Sequence, residues 1–250
     1  MSGHSHWATI KHKKGAIDAK RGKMFSKLSR AIIIAARHGG GDPETNLKLR
    51  YAIDKARQVS MPKDNIERAV KRGTGDLEGL TFEEIVYEGI GPGGVAILVE
   101  VLTDNRNRTA GEIRKTFERG GGKMGSAGCV AYLFKRKGVF VVEAPAADED
   151  TLMGIALDAG ADDLKRSGTT YEITCDPAVF NAVQDALKAN NITPTAADVS
   201  QVADTTVEVD LEDGKKVMRL LEALDDHDDV QNVYSNVHLS DQLVAEMANG

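Results

Sequence analysis

Cysteine is scarce: Cys129 and Cys175 are the only two in 250 residues. They lie far apart, with no C-x-x-C and no His or Cys at metal-ligand spacing, so they read as small buried residues in a reducing compartment. No zinc site, other metal or cofactor is expected. Long apolar runs are also missing, since the longest, Ala31–Ala36 and Val95–Val99, fall far short of a membrane span. The N-terminus has no apolar h-region of a secretory signal, and its Gly-His-Lys-rich start is not amphipathic as a mitochondrial presequence would be. A cytoplasmic protein with no membrane partner is expected. G-x-S-x-G and H-E-x-x-H do not occur, and no nucleophile and base stand at recognisable spacing, so an enzyme is not expected.

What the sequence has is concentrated charge. Within the first thirty residues Lys11, Lys13, Lys14, Lys20, Arg21, Lys23, Lys27 and Arg30 face only Asp18, a net +7. Such a stretch is suited to a polyanion. The first seventeen residues show neither helical nor strand period, which predicts an arm that orders on its partner. Trp7, His12 and the other histidines offer rings for stacking on bases. The candidate nucleic-acid contacts are therefore Trp7, Lys11, His12, Lys13, Lys14, Lys20, Arg21, Lys23, Lys27 and Arg30. The competing reading is a solvated tail with no partner.

The overall charge of −6 conceals a division. Residues 1–75 carry 17 Lys+Arg against 6 Asp+Glu, net +11, and the remainder carries 15 against 32, net −17. The chain reads as a basic head on an acidic body. Salt limits the reach of each field to about 8 Å under physiological conditions.

Three helices are predicted in the head. The first runs from Ala19 or Lys23 to His38, with Phe25, Leu28, Ile32 and Ala35 on one stripe and Gly39–Gly41 ending it. The second is predicted to start at Asp42-Pro43, an N-cap followed by proline at the first helical position, with Leu49, Ala52, Ile53 and Ala56 inward. Pro62 opens the third, with Ile66, Ala69 and Val70 inward and Gly73 closing it.

From about Leu80 the pattern changes to strands. Residues 85–88 and 95–102 form a hairpin around Gly89–Gly94, and a helix is predicted from Thr109, where Thr109-Ala-Gly-Glu112 is a capping box, to Gly120. Strands are predicted at 130–134, 139–143, 171–175, 206–211 and 230–236. Helices are predicted at 150–161, 177–189 and 215–224, the last after a turn at Glu212-Asp-Gly214. The expected fold class is α+β: an N-terminal three-helix domain with a basic arm (1–76), a discontinuous α+β domain (77–133 plus 205–240) and an inserted α+β domain (134–204), the last two ferredoxin-like.

Several motifs carry less than their strings suggest. Gly89-x-Gly91-x-x-Gly94 matches the dinucleotide fingerprint but leads into a strand and contains Pro92, and Gly120-x-Gly122-x-x-Gly125 follows a helix, the wrong order for a pyrophosphate site. Asp225-Asp-His-Asp-Asp229 reads as a solvated helix end and turn rather than a metal site. In Thr103-Asp-Asn-Arg-Asn-Arg-Thr109, Arg106 and Arg108 are a possible secondary anion contact. Equally, they could pair with Asp104 or nearby acids to shape the loop.

Long strings in the chain carry a family likeness. Gly3-His-Ser-His-Trp7, Asp18-Ala-Lys-Arg21, Gly40-Gly-Asp-Pro43, Met61-Pro-Lys-Asp-Asn-Ile-Glu-Arg68, Tyr87-Glu-Gly-Ile-Gly-Pro-Gly-Gly94 and Thr103–Thr109 resemble the YebC/PmpR family, which also includes the mitochondrial translational activator of a cytochrome oxidase subunit. The resemblance covers nearly the whole chain. It implies a three-domain cytoplasmic protein, commonly a DNA-binding transcriptional regulator and, for some members, a ribosome-associated factor easing translation of proline-rich stretches. It places the nucleic-acid surface on the basic arm and first helix. Departures are His6 where lysine is frequent, Ser60 where asparagine is usual, and Cys129 where serine is common.

The expectation is thus a non-enzymatic nucleic-acid-binding regulator of gene expression, monomeric. The partner is either DNA, in a transcriptional role, or ribosomal RNA on the ribosome. Lysine neutralises either backbone, although a head with no evident helix-turn-helix spacing and few base-reading side chains suits irregular RNA better. The rival class is an enzyme with a site between the two α+β layers.

Overall fold

The computed structural model of the chain describes residues 18–75, 82–146, 148–167 and 169–240. Helix α1 (Asp18–Gly39) is 22 residues long and rich in strong helix formers. Its C-terminal half buries Ile32, Ile33, Ala35 and Ala36. Gly40, at a φ of +84°, ends it in the left-handed conformation glycine tolerates. Helices α2 (Leu47–Gln58) and α3 (Lys63–Gly73) pack chiefly on α1 rather than on each other. Leu49, Ile53, Ala56, Ile66 and Ala69 join the α1 stripe in one core.

The α2 start differs from expectation. Asn46, not Asp42, is its N-cap, accepting from the Leu49 amide at 3.1 Å. The Asn46 amide group also donates to Ala35 O at 2.7 Å and Gly40 O at 2.8 Å, so one buried side chain both caps α2 and satisfies the end of α1. Asp42 caps a turn instead, accepting from the Glu44 amide at 3.0 Å. Tertiary contact selected between two competent capping residues.

The first sheet has the order β3-β1-β2-β9, with β1 (Glu83–Ile90), β2 (Ala96–Thr103), β3 (Lys123–Met124) and β9 (Val230–Ser235) antiparallel throughout. The β1–β2 hairpin forms as expected around Pro92–Gly94, where Gly93 and Gly94 take positive φ. Alternation on β2 sends Val95, Ile97, Val99 and Val101 towards Ile113 and Phe117 of α4 (Arg106–Arg119) and towards Val217, Leu220, Leu221 and Leu224 of α7 (Leu211–Asp225). Ala96 and Leu98 face the other side, with Val130, Phe134 and Tyr234. There the buried Glu88 carboxylate accepts the amides of Gly128, Val130 and Ala131 at 2.6, 2.7 and 2.8 Å, tying the 128–131 loop across the sheet.

Both helices of this layer begin earlier than predicted. α4 is capped by Asn105, whose side chain accepts from the Arg108 amide at 3.1 Å, and the Thr109–Glu112 capping box goes unused. α7 is capped by Asp210, so Glu212-Asp-Gly214 is its first turn. The strand predicted at 206–211 shrinks to β8 (Val207–Glu208), which pairs in parallel with β10 (Val237–His238) outside the main sheet.

The second sheet, β5-β6-β4-β7, carries the ferredoxin-like arrangement in the chain order β4 (Phe134–Glu143), α5 (Glu149–Asp158), β5 (Ala161–Ser167), β6 (Thr170–Cys175), α6 (Phe180–Ala189), β7 (Ala196–Ala203). Residues 130–134 and 139–143 are not two strands. Only β4 is a strand there, preceded by a helical turn at Ala131–Leu133. β5 was not foreseen, and β7 was expected only as an unplaced strand closing the inserted unit, because ADDLKRS and AADVSQVA lack an apolar alternation strong enough to mark a strand. Their pairing on β6 and β4 supplies what their side chains do not. Phe140, Val142, Ile173, Leu152, Val183 and Leu187 form the core, with the Phe140 and Phe180 rings stacked at 4.6 Å.

The double use of Asn46 gives a testable consequence. Asn46→Ala removes the α2 cap and the amide that bonds Ala35 O and Gly40 O, so urea unfolding should show a loss of about 1–3 kcal/mol. Asp42→Ala should cost well under half as much.

Candidate nucleic-acid interface

Of the predicted contacts, Trp7, Lys11, His12, Lys13 and Lys14 lie outside the described residues. Lys20 and Arg21 fall in the first turn of α1. The structure brings Lys23, Lys27 and Arg30 together at i, i+4 and i+7 on one helix face, directed at the run Asp225–Asp229. Lys23 Nζ donates to Asp226 O at 3.1 Å. Lys27 Nζ donates to Asp225 O and sits 3.7 Å from Asp225 Oδ1. Arg30 Nη1 donates to Asp228 O, and to Asp229 Oδ1 at 3.0 Å. Two of these carbonyls belong to the last residue and C-cap of α7, where the helix dipole is negative.

Asp229 corrects the reading of 225–229 as a wholly solvated turn. Its side chain is 4% exposed. One carboxylate oxygen accepts from Arg30, and the other lies 2.7 Å from Thr109 Oγ1, 3.1 Å from Thr103 Oγ1 and 2.8 Å from Arg108 Nη2. Burial pushes its pKa up, but hydrogen bonds from Thr109 and Arg108, the Arg30 charge and the Thr103 hydroxyl outweigh that and hold it below the usual carboxylate range. Thr109 is therefore diverted from capping to the buried acid.

Arg108 does not present its guanidinium to solvent as a free fork. It pairs with Asp229 and, at 3.0 Å, with Asp104, which raises its pKa further. Arg106 occupies the first turn of α4 and is exposed.

Glu112, His227 and Asp229 place one ligand atom each within 4.8 Å of one another, close enough for a metal ion. Their atoms are already engaged. His227 Nε2 lies 2.9 Å from Glu112 Oε2 and its Nδ1 accepts the Asp229 amide at 3.1 Å. Arg30 and Arg108 beside Asp229 also oppose an incoming cation.

The head meets the rest of the chain a second time through α2. Tyr51 donates to Asn181 Oδ1 at 3.2 Å and sets its ring edge-on to Phe180 at 6.1 Å, and Lys55 pairs with Asp198. Arg37, Lys48, Arg68, Lys71 and Arg72 of the head remain at the surface. Between α2 and α3 lies a groove of about 460 Å³ with Ile53, Met61, Ile66 and Val70 at its base and Arg57, Lys63, Glu67 and Lys71 around it. Sequence reasoning missed Thr103, Thr109 and Asp229 as a set. Nothing local links a threonine pair to an acid more than a hundred residues away.

The molecule is thus an α+β protein with a basic helical head seated on the acidic end of a helix. Residues 5–76 match the family model described as the TACO1/YebC protein N-terminal domain, and residues 82–237 match that described as the TACO1/YebC second and third domain. The chain belongs to the TACO1/YebC family, in agreement with the YebC/PmpR resemblance. A relative in Dictyoglomus turgidum is 53% identical over 99% of this chain and 100% of its own length, and one in Desulfatibacillum aliphaticivorans is 54% identical over 98% and 100%. Both bear the name "probable transcriptional regulatory protein". The crystal structure of a conserved hypothetical protein from Aquifex aeolicus is similar, with TM-score 0.83, 46% identity, and coverage of 93% of this chain and 96% of that one. Among the described residues no helix is long and apolar enough to cross a membrane.

Because the folded Asp229 pKa is depressed, its contribution is present in full above about pH 5 and is lost as pH falls towards the folded value. Asp229→Asn should cost about 1–3 kcal/mol in urea unfolding at pH 7. The gap between variant and wild type should narrow steadily when the same measurement is made between pH 5 and pH 3.

Proposed function

We propose that this protein is a non-enzymatic regulator of gene expression that binds nucleic acid through its basic head, using the arm residues Trp7, Lys11, His12, Lys13 and Lys14 together with Lys20, Arg21, Lys23, Lys27 and Arg30 of α1. The observation that carries this reading is the α1 row: three cations on one helix face meet a run of acceptor oxygens at 225–229, main-chain carbonyls of Asp225, Asp226 and Asp228 together with the carboxylates of Asp225 and Asp229. A phosphate backbone offers an equivalent run. The net +11 of residues 1–75 supports it. The names of the relatives, "probable transcriptional regulatory protein", support a transcriptional role, for which our reading takes DNA as the partner. A second reading, binding of ribosomal RNA on the ribosome, is favoured by one feature of the head. α2 and α3 pack on α1 rather than on each other, leaving a groove between them, so they do not form the packed pair that sets a reading helix in a major groove.

If about six phosphates are neutralised, log K against log salt should have a slope near −5 on duplex DNA and nearer −4 on single strands. Replacing Lys11, Lys13 and Lys14 by Glu should weaken binding on every sequence without shifting the melting temperature. Competition among DNA sequences separates the two partners. Discrimination of about 10³ or more for one operator supports the transcriptional reading, and less than about tenfold supports RNA.

A further inference from the structure

The face of α1 that would meet phosphate is occupied in this structure by the chain's own acidic turn. We propose that residues 225–229 are an intramolecular competitor for nucleic acid, and that Lys23, Lys27 and Arg30 bind it only when the head leaves its seat on α7. This rests on the nucleic-acid reading above and adds a closed and an open state to it.

Three observations converge on that device. First, all three cations are engaged at once: each donates to a main-chain carbonyl of the turn, Lys27 also faces the Asp225 carboxylate, and Arg30 also bonds that of Asp229. The turn combines the negative end of α7 with four aspartates, so it presents concentrated negative charge as a polyanion does. Secondly, the seat is polar. Its side-chain contacts to α1 are ammonium or guanidinium to oxygen, with Phe82 beneath Arg30 at 5.7 Å as the aromatic element; water or phosphate can replace the Lys23 and Lys27 contacts at low cost, while Asp229 keeps Arg108, Thr103 and Thr109 when Arg30 leaves. Thirdly, the head carries its own core of Ile32, Ala36, Leu49, Ile53 and Ile66, of which separation would uncover only the part covered by Phe82. The second seat, Tyr51 on Asn181 and Phe180 with Lys55 on Asp198, is likewise small. The apparent affinity of such a molecule is its intrinsic affinity multiplied by the fraction open, so a head closed 90–99% of the time binds about 10- to 100-fold more weakly than a freed one.

The test uses the full chain and measures binding of a fluorescein-labelled duplex DNA and a stem-loop RNA, each of about 20 nucleotides, at about 150 mM salt. Asp225→Asn, Asp226→Asn and Asp228→Asn are combined, leaving the buried Asp229 in place. A second variant, Tyr51→Ala, loosens the other seat without altering charge. The control, Glu149→Gln, Asp158→Asn and Asp185→Asn, removes the same three charges from exposed positions on α5 and α6. The expected result is a gain of about tenfold or more for the turn variant, a gain in the same direction for Tyr51→Ala, and a change under about threefold for the control. Adding Lys23→Gln and Lys27→Gln to the turn variant should abolish its gain. Unchanged affinity in both the turn variant and Tyr51→Ala, or an equal gain in the control, overturns the proposal while leaving nucleic-acid binding standing. If neither the wild type nor any variant binds either probe even at about 50 mM salt, the nucleic-acid reading itself falls.

Discussion

A carboxylate that is 4% exposed must be compensated or it will not stay ionised, and Asp229 is compensated by three different parts of the chain. Thr103 ends β2, Arg108 and Thr109 begin α4, and Arg30 comes from the head. The position of α4 on the sheet, the path of the chain from α7 into β9, and the seat of the basic head all satisfy one negative charge. Thr103, Arg108 and Thr109 lie within one short stretch of chain, but Asp229 is more than a hundred residues from them and Arg30 about two hundred from Asp229, so three distant segments meet at this charge.

Glu88 obeys the same rule by a different route. Burial works to raise its pKa, while three backbone amides and the Cys129 thiol supply hydrogen bonds that hold it low. It draws on main chain where Asp229 draws on charged and hydroxyl side chains, and accordingly it pins a loop rather than joining distant elements. Neither acid is arranged for catalysis: each is saturated with donors and low in pKa, the reverse of a carboxyl poised to take or give a proton near neutrality.

The electrostatic division between head and body takes on a spatial meaning in the fold. A basic helix and an acidic turn, each a liability if left facing water beside like charge, meet face to face across α1 and the end of α7. The contact also decides which cations of the head reach solvent. Lys27 and Arg30 are drawn inward there, and Lys55 is engaged separately by Asp198, whereas Arg37, Lys48, Arg68, Lys71 and Arg72 stay at the surface.

Much of this architecture is legible in the residues alone. The stripe of α1, the glycine turn of the hairpin, the inward faces of α2 and α3, and the β2 alternation follow from local period and punctuation, which act over a few residues. So does the basic character of the first helix. What only the tertiary structure decided falls into three groups. Helix starts were misplaced at Asp42 and Thr109 because several competent caps stood in a row, and the choice went to Asn46 and Asn105 once Ala35, Gly40 and Asp229 supplied distant partners. Strand β5 escaped notice and β7 could not be located in advance because their partners, not their own side chains, make them strands. The seating of Lys23, Lys27 and Arg30 on Asp225–Asp229 joins residues about two hundred positions apart. Charge in the sequence says that each run seeks an opposite partner, and only the packing of α1 against α7 and β9 makes them partners of each other.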